Sequence, residues 1–298
     1  MLHHYKVYQL AVQSALPLPE LQPLSPCAAP DVCIVCGPLP PVPEAAEQLG
    51  PFLWRNGNAV TLQVPGVARF AIRDGNEIVV APEPEADADS VRLFLLGTAL
   101  GALLQQRGLL VLHGNAVQVG DGCIVCVGPS GAGKSTLAAA LMQRGYPLLA
   151  DDVVPVNAQG EAIPGFPRVK LWQDSADRLQ VATGDLAAVR PGLHKYQLPT
   201  HQRMAEHGLP VRAVYLLDSH NGDDFRLQPV QGMARFSLLQ QNTYRLRLLA
   251  DRISQQAHLQ QCAALSARVR MVHVTRPKSG FRLDELVEHI LADAAVPA

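Results

Sequence analysis

The chain has no excess of charge of either sign. Across 298 residues, 25 lysines and arginines stand against 26 aspartates and glutamates, a net charge of −1. Without a global basic field there is no general means of holding nucleic acid. There is also no apolar run of the about 18–20 residues that a bilayer-spanning helix needs. The longest candidate, Val91–Leu104, is shorter and carries Arg92. The opening MLHHYKVYQL has no continuous apolar core before a small-residue cleavage site, so it does not read as a signal peptide. Neither an internal repeat nor a low-complexity tract is visible. The expectation is a soluble cytoplasmic protein with no nucleic-acid or membrane partner. Apolar residues make up 48% of the chain, enough for a sizeable core in one large or two modest domains.

Cysteine is sparse but patterned. Two of the six cysteines, Cys33 and Cys36, and two more, Cys123 and Cys126, form the same tetrapeptide, Cys-Ile-Val-Cys. Paired C-x-x-C motifs admit a zinc reading. Both lie in β-branched runs, however, and strand residues three apart point to opposite faces. Buried thiols are the preferred reading.

Tyr5–Ser14, Val32–Cys36, Thr61–Val64, Ala68–Arg73 and Glu77–Val80 read as strands. Asp74-Gly75 between the last two is a hairpin signal, because both positions tolerate positive φ. Residues 1–85 therefore read as a small, mainly antiparallel β module. A helix is predicted over Val91–Arg107, capped by Asp89 or Ser90 and closed by Gly108, with Gly97 and Gly101 packing against a sheet. Residues 86–298 then mix strands and helices as one α/β domain. Its strands include Leu109–His113, Ala116–Val119, Cys123–Val127, Leu148–Ala150 and Val211–Asp218, and Met233–Arg252 reads as a helix.

Gly128-Pro129-Ser130-Gly131-Ala132-Gly133-Lys134-Ser135 matches G-x-x-x-x-G-K-S/T in full. A buried strand precedes it and an Ala/Leu-rich helix starting at Lys134, Ser135 and Thr136 follows, the context that this nucleotide-binding loop requires. Its N–H groups would cradle phosphates, Lys134 would reach the β- and γ-phosphates, and the Ser135 hydroxyl would ligate Mg²⁺. Asp151 and Asp152 end a short strand expected beside the loop's strand. Adjacent acids there can divide two tasks, metal holding and proton acceptance from an attacking hydroxyl. The alternative is a single Mg²⁺ aspartate with a solvated neighbour. His113 would approach the phosphates if its strand adjoins Cys123–Val127, and spacing alone does not decide whether it is structural or catalytic. Arg168 and Lys170 alternate around Val169 and would meet phosphate or an acidic acceptor together, unless they are the solvated side of an edge strand. Lys195 and Arg245 are further candidates for a charge clamp.

The run from Gly128 through Arg144-Gly145-Tyr-Pro-Leu-Leu-Ala-Asp151-Asp152 resembles the catalytic domain of the HPr kinase/phosphorylase family, which joins its loop to an R-G-x-x-L-L/V-A-D-D segment. His113, 21 residues before Lys134, and Asp152, 18 after it, stand at similar offsets. The whole chain looks more like the HPr-kinase-related proteins of bacterial peptide-biosynthesis clusters, lasso-peptide clusters among them. These share a leading β module and the segments seen here as Leu112–Val117 and Pro164–Trp172. The resemblance implies an α/β P-loop fold of the HPr-kinase/phosphoenolpyruvate-carboxykinase type with a mixed sheet. It implies an ATP- and Mg²⁺-dependent kinase of a serine hydroxyl on a peptide or protein, such as a ribosomally made precursor. Carried over, Asp152 is the base, Asp151 supports it or the metal, and His113 lies in the active site. The rival readings are a nucleotide-gated binding protein, with ATP ordering the loops at 157–210, and a small-molecule kinase.

Overall fold

Open and buried positions alternate along Ala59–Val64, so that strand turns one face to a core and the other outward. It belongs to a nine-stranded sheet ordered Gln22–Pro23, His3–Val7, Leu10–Ser14, Val32–Cys36, Glu77–Pro82, Ala68–Arg73, Ala59–Val64, Leu53–Asn56 and Glu47–Gly50. Pairing is antiparallel except on both sides of Val32–Cys36, which runs parallel to its neighbours. Asp74 and Gly75 form a type I′ turn, with φ of 49° and 67° and Asn76 N donating to Arg73 O at 3.1 Å. This computed structural model describes residues 1–190, 192–200, 204–249 and 251–295. Pro191, 201–203, Ala250 and 296–298 lie outside the described residues.

The helix after this sheet starts earlier than predicted. Asp87, not Asp89 or Ser90, is the cap: its Oδ1 accepts from Ser90 N at 2.7 Å, and the helix runs from Ala88. Asp87→Ala is expected to cost about 1 kcal/mol, read as a lower thermal midpoint. The helix continues through a π-helical turn, Leu95–Ala99, to Gln106. Leu95, Ala99 and Leu103 pack with Phe70, Ile72 and Ile78, and Val111, Val153, Ile163 and Leu248 join the same core. Packing thus crosses residue 85. Gly97 and Gly101 do not meet a sheet as expected. They face Tyr244, whose Cε1 would lie 2.7 Å from a Cβ at Gly101.

Gly122–Val127 is buried at every position, the mark of a strand covered on both faces. Gly114–Val119 pairs antiparallel on one side and Leu209–His220 parallel on the other. Leu148–Asp151 lies antiparallel beyond Gly114–Val119. Arg270–Pro277, parallel, and Arg226–Pro229, antiparallel, lie beyond Leu209–His220. Helices Lys134–Gln143 and Leu283–Ala294 cover one face, and Met233–Gln241 and Arg252–Arg268 the other. The architecture is mixed α/β with mixed sheets. Buried Cys123 and Cys126 fall in the cores of opposite faces, as the strand period dictates. The expectation of buried thiols is corrected for the other pair: Cys33 is half-buried and Cys36 exposed.

Three expectations are corrected here. Leu148–Asp151 is not beside the loop's strand, because Gly114–Val119 returns through the tight turn at Gly120-Asp121 and takes that place. Leu110–Leu112 does not adjoin that strand either, pairing instead with Val154–Val156. The helix predicted over Met233–Arg252 ends at Gln241. Its chain is drawn off to the His113 segment, where His113 N donates to Asn242 O and Tyr244 N to Val111 O, both at 2.8 Å.

Candidate active site

Gly128 leaves the buried strand with φ of 139°, and a Cβ there would stand 2.5 Å from Leu217 O. Only glycine fits that bend. The loop then curls to Gly133, left-handed at φ 98°, from which Lys134–Gln143 springs. Lys134 Nζ donates to Gly128 O at 2.8 Å and Pro129 O at 3.1 Å, so the ammonium lies along the loop. Burial pulls its pKa down, and Asp152 and Asp151 oppose that. Ser135 Oγ donates to Asp151 Oδ1 at 3.1 Å, and Thr136 Oγ1 to Ser175 Oγ at 2.9 Å. Ala132 is buried, while Ser130 and Gly131 are open.

Two antiparallel steps restore direction. Leu148–Asp151 therefore runs the same way as the loop's strand, and its acids reach the same edge of the sheet as Gly128. Asn115 pairs in register with Cys126 on one side and Asp151 on the other. Asp151 is buried, and its Oδ2 accepts from Lys170 N at 3.0 Å. Burial and the neighbouring Asp152 push its pKa up, to about 6. Asp152 bends the chain at φ 68°, an uncommon conformation that aspartate tolerates better than most residues. Its Oδ2 accepts from Lys170 Nζ at 2.7 Å. Burial works upward on Asp152, but Lys170 and Lys195 outweigh it and hold the carboxyl at about 2. His113 Nδ1 lies 3.0 Å from Asp152 O, and since a carbonyl only accepts, that nitrogen carries the proton. Burial and Lys134 lower the His113 pKa, which favours the neutral ring.

His113, Gly128–Ser130 and Asp152 line one open cleft of about 650 Å³, completed by Asn242, Tyr244 and Arg245. The structure thus brings together the loop, both acids, the histidine and Lys170. It separates Arg168, which bonds Gln197 and Pro19 O and lies 3.8 Å from the carboxylate of buried Glu20. The expectation that Arg168 and Lys170 act on one group is corrected: Arg168 turns to the first sheet's segment, and only Lys170 meets the acids. Lys195 pairs across from Trp172, its Nζ 5.6 Å from the indole centroid. Arg245, left-handed at φ 49°, lines the cleft and donates to Thr98 Oγ1 at 3.3 Å.

Sequence reasoning missed Asn115, Tyr244 and Arg276. Asn115 is fully buried, and neither side-chain polar atom has a hydrogen-bond partner among the described residues. An orphaned amide in register with Asp151 is unusual enough to mark a site. Arg276 Nε donates to Ala132 O at 3.3 Å. It stands near the carboxyl end of Arg270–Pro277, which runs parallel to Leu209–His220, and parallel strands gather ligand groups at those ends. Among the described residues no three His, Cys, Asp or Glu side chains cluster as metal ligands. Mg²⁺ needs no such cluster, because waters and phosphates complete its shell around one or two carboxylates. Ser135, Asp151 and the orphaned Asn115 fit that demand.

The fold and site define a class: a mixed α/β protein whose glycine loop and paired acids share one edge of a sheet. The particular likeness is confined to part of it. Residues 107–171 match the family model of the HPr Serine kinase C-terminal domain. The HPr kinase/phosphorylase of Chlorobium phaeovibrioides is 43% identical over 51 residues, 17% of this chain and 15% of that protein. That of Chlorobium phaeobacteroides is 47% identical over 49 residues, 16% and 14% of the two chains. That of Caldanaerobacter subterraneus is 42% identical over 52 residues, 17% of each. The chain thus spans about 15% of the length of the curated relatives it matches. The matched segment carries His113, the loop, both acids and Lys170, and its likeness is to a kinase. Among the described residues no helix is long and apolar enough to cross a membrane.

Proposed function

We propose that this chain is a Mg²⁺-dependent P-loop kinase that transfers the γ-phosphate of ATP to a serine hydroxyl of a peptide or protein. The observation that carries the reading is the Asp152 carboxylate, held ionised by Lys170 in the cleft it shares with Gly128–Ser130. ATP lies along Gly128–Thr136, and Lys134 Nζ exchanges two carbonyl partners for phosphate oxygens. Ser135 and Asp151 would hold Mg²⁺, which would offset charge on those oxygens. Asp152 takes the proton of the serine hydroxyl as its oxygen bonds to the γ-phosphorus, the bond to the β-phosphate oxygen breaks, and ADP leaves. Lys170 orients Asp152, and His113 fixes the bend that presents it. The acceptor class, a ribosomally made precursor peptide, rests on the likeness of Leu112–Val117 and Pro164–Trp172 to proteins of peptide-biosynthesis clusters. The first sheet would select that acceptor by strand addition at an edge or in a pocket.

The test is transfer of radiolabel from γ-labelled ATP to serine peptides and to matched alanine peptides. Label is expected on serine alone. Ser135→Ala should raise the Mg²⁺ concentration needed by at least about tenfold, the lower end for contacts around a metal. ATP binding without transfer to any acceptor would leave the nucleotide-gated reading in its place.

A further inference from the structure

A second cleft, of about 220 Å³, borders the glycine loop beyond Gly128–Ser130, and its side chains outside the loop take no part in the proposed transfer. Gly131, Gly133 and Thr136 form its wall toward the loop. Phe225 and Phe281 line it, each with a guanidinium on its face: Arg178 lies 4.9 Å from the Phe281 centroid, and Arg282 lies 4.9 Å from that of Phe225. Phe281 is 45% exposed although aromatic. It projects from the short segment between Arg270–Pro277 and Leu283–Ala294, where core packing does not demand it. Arg276, bonded to Ala132 O, stands where loop and cleft meet.

The two clefts divide the loop. Gly128–Ser130 face Asp152 and His113, where the transferred phosphate must lie. Gly131, Gly133 and Thr136 face the aromatic cleft. A triphosphate laid along the loop with its γ end at Asp152 therefore delivers its α end, and the nucleoside attached to it, to Phe281 and Phe225. We propose that this aromatic–arginine cleft binds the base and ribose of the nucleotide, with the base stacked on Phe281. The proposal rests on the P-loop reading above. A flat π-face flanked by guanidinium groups is what a nucleobase stacks on, independent of base identity. The lining is also rich in cations, with Arg178, Arg276, Lys278 and Arg282 against Asp174 alone, which suits a ligand whose other half is a polyphosphate.

Calorimetric titration of the full chain with ATP and with inorganic tripolyphosphate, both with Mg²⁺, tests this. Phe281→Ala is expected to weaken ATP by about tenfold or more, as loss of one stacked base does, and to leave tripolyphosphate within about twofold. Phe281→Trp should restore ATP affinity. Lys134→Ala should weaken both ligands. Unchanged ATP affinity in Phe281→Ala, with both ligands weakened in Lys134→Ala, would overturn the base site and leave the phosphate cradle standing. Equal loss of both ligands in Phe281→Ala would also overturn it. Full affinity of Lys134→Ala for both would remove the cradle, and the base site with it.

Discussion

Asp152→Asn is expected to lower phosphoryl transfer by about 10²–10⁴-fold, the range that a positioned general base contributes, while ATP remains bound. The substitution is nearly isosteric, and asparagine tolerates the left-handed φ of 68° as aspartate does. The bond from His113 Nδ1 goes to the backbone oxygen of Asp152, so it survives. What disappears is the charge that Lys170 holds in place and, on the proposed reading, the oxygen that would take the proton. Lys134→Ala should show the opposite division. Its ammonium lies on the loop carbonyls and touches no acceptor-side group, so nucleotide affinity goes first and the rate follows. Titration with ATP and a filter assay on the same preparations separate the two. A near wild-type rate in Asp152→Asn would show that another group takes the proton.

Gly114→Ala carries the largest expected effect on the fold. A Cβ there would stand 2.3 Å from Cys126 O, which is backbone in a fully buried strand and has nowhere to move. Relief requires the Gly114–Val119 and Gly122–Val127 ladder to open at the end where the glycine loop begins. Overpacking of this kind costs about 1–3 kcal/mol or more, a fall of about 2–5 °C or more in the thermal midpoint for a chain of this size. Nucleotide affinity should fall as well, since Gly114 pairs with Val127, the residue before Gly128. Gly184→Ala is the control: a Cβ there meets nothing within 4 Å. Equal midpoints for the two variants would contradict the close approach at Gly114.

The site was legible where its chemistry is local. The loop's glycines, Lys134 and Ser135 are contiguous, and their meaning depends on the strand before and the helix after, both of which show in hydrophobic pattern. The acid pair was legible because it ends an apolar run. The order of the strands was not. The tight turn at Gly120-Asp121 puts Gly114–Val119 on one side of the loop's strand, and Leu209–His220 takes the other, which no local signal reveals. Arg168 and Lys170 show the same limit at one remove. Their alternation around Val169 put them on one side correctly, but that side passes from the acids to Glu20 within two residues.

By itself the sequence determined the glycine loop, the elements that flank it, the I′ hairpin at Asp74-Gly75 and the burial of Cys123 and Cys126. Each follows from constraints within a few residues: allowed φ, side-chain period and capping. Only the tertiary structure decided that Asp151 lies two strands from Gly128 yet at the same edge, that Asn115 is orphaned between them, and that Tyr244 reaches the cleft and Arg276 the loop from far along the chain. Those relations depend on which strands pair and in which direction. Pairing is settled by the burial of whole faces against one another, a property that no local stretch of sequence contains.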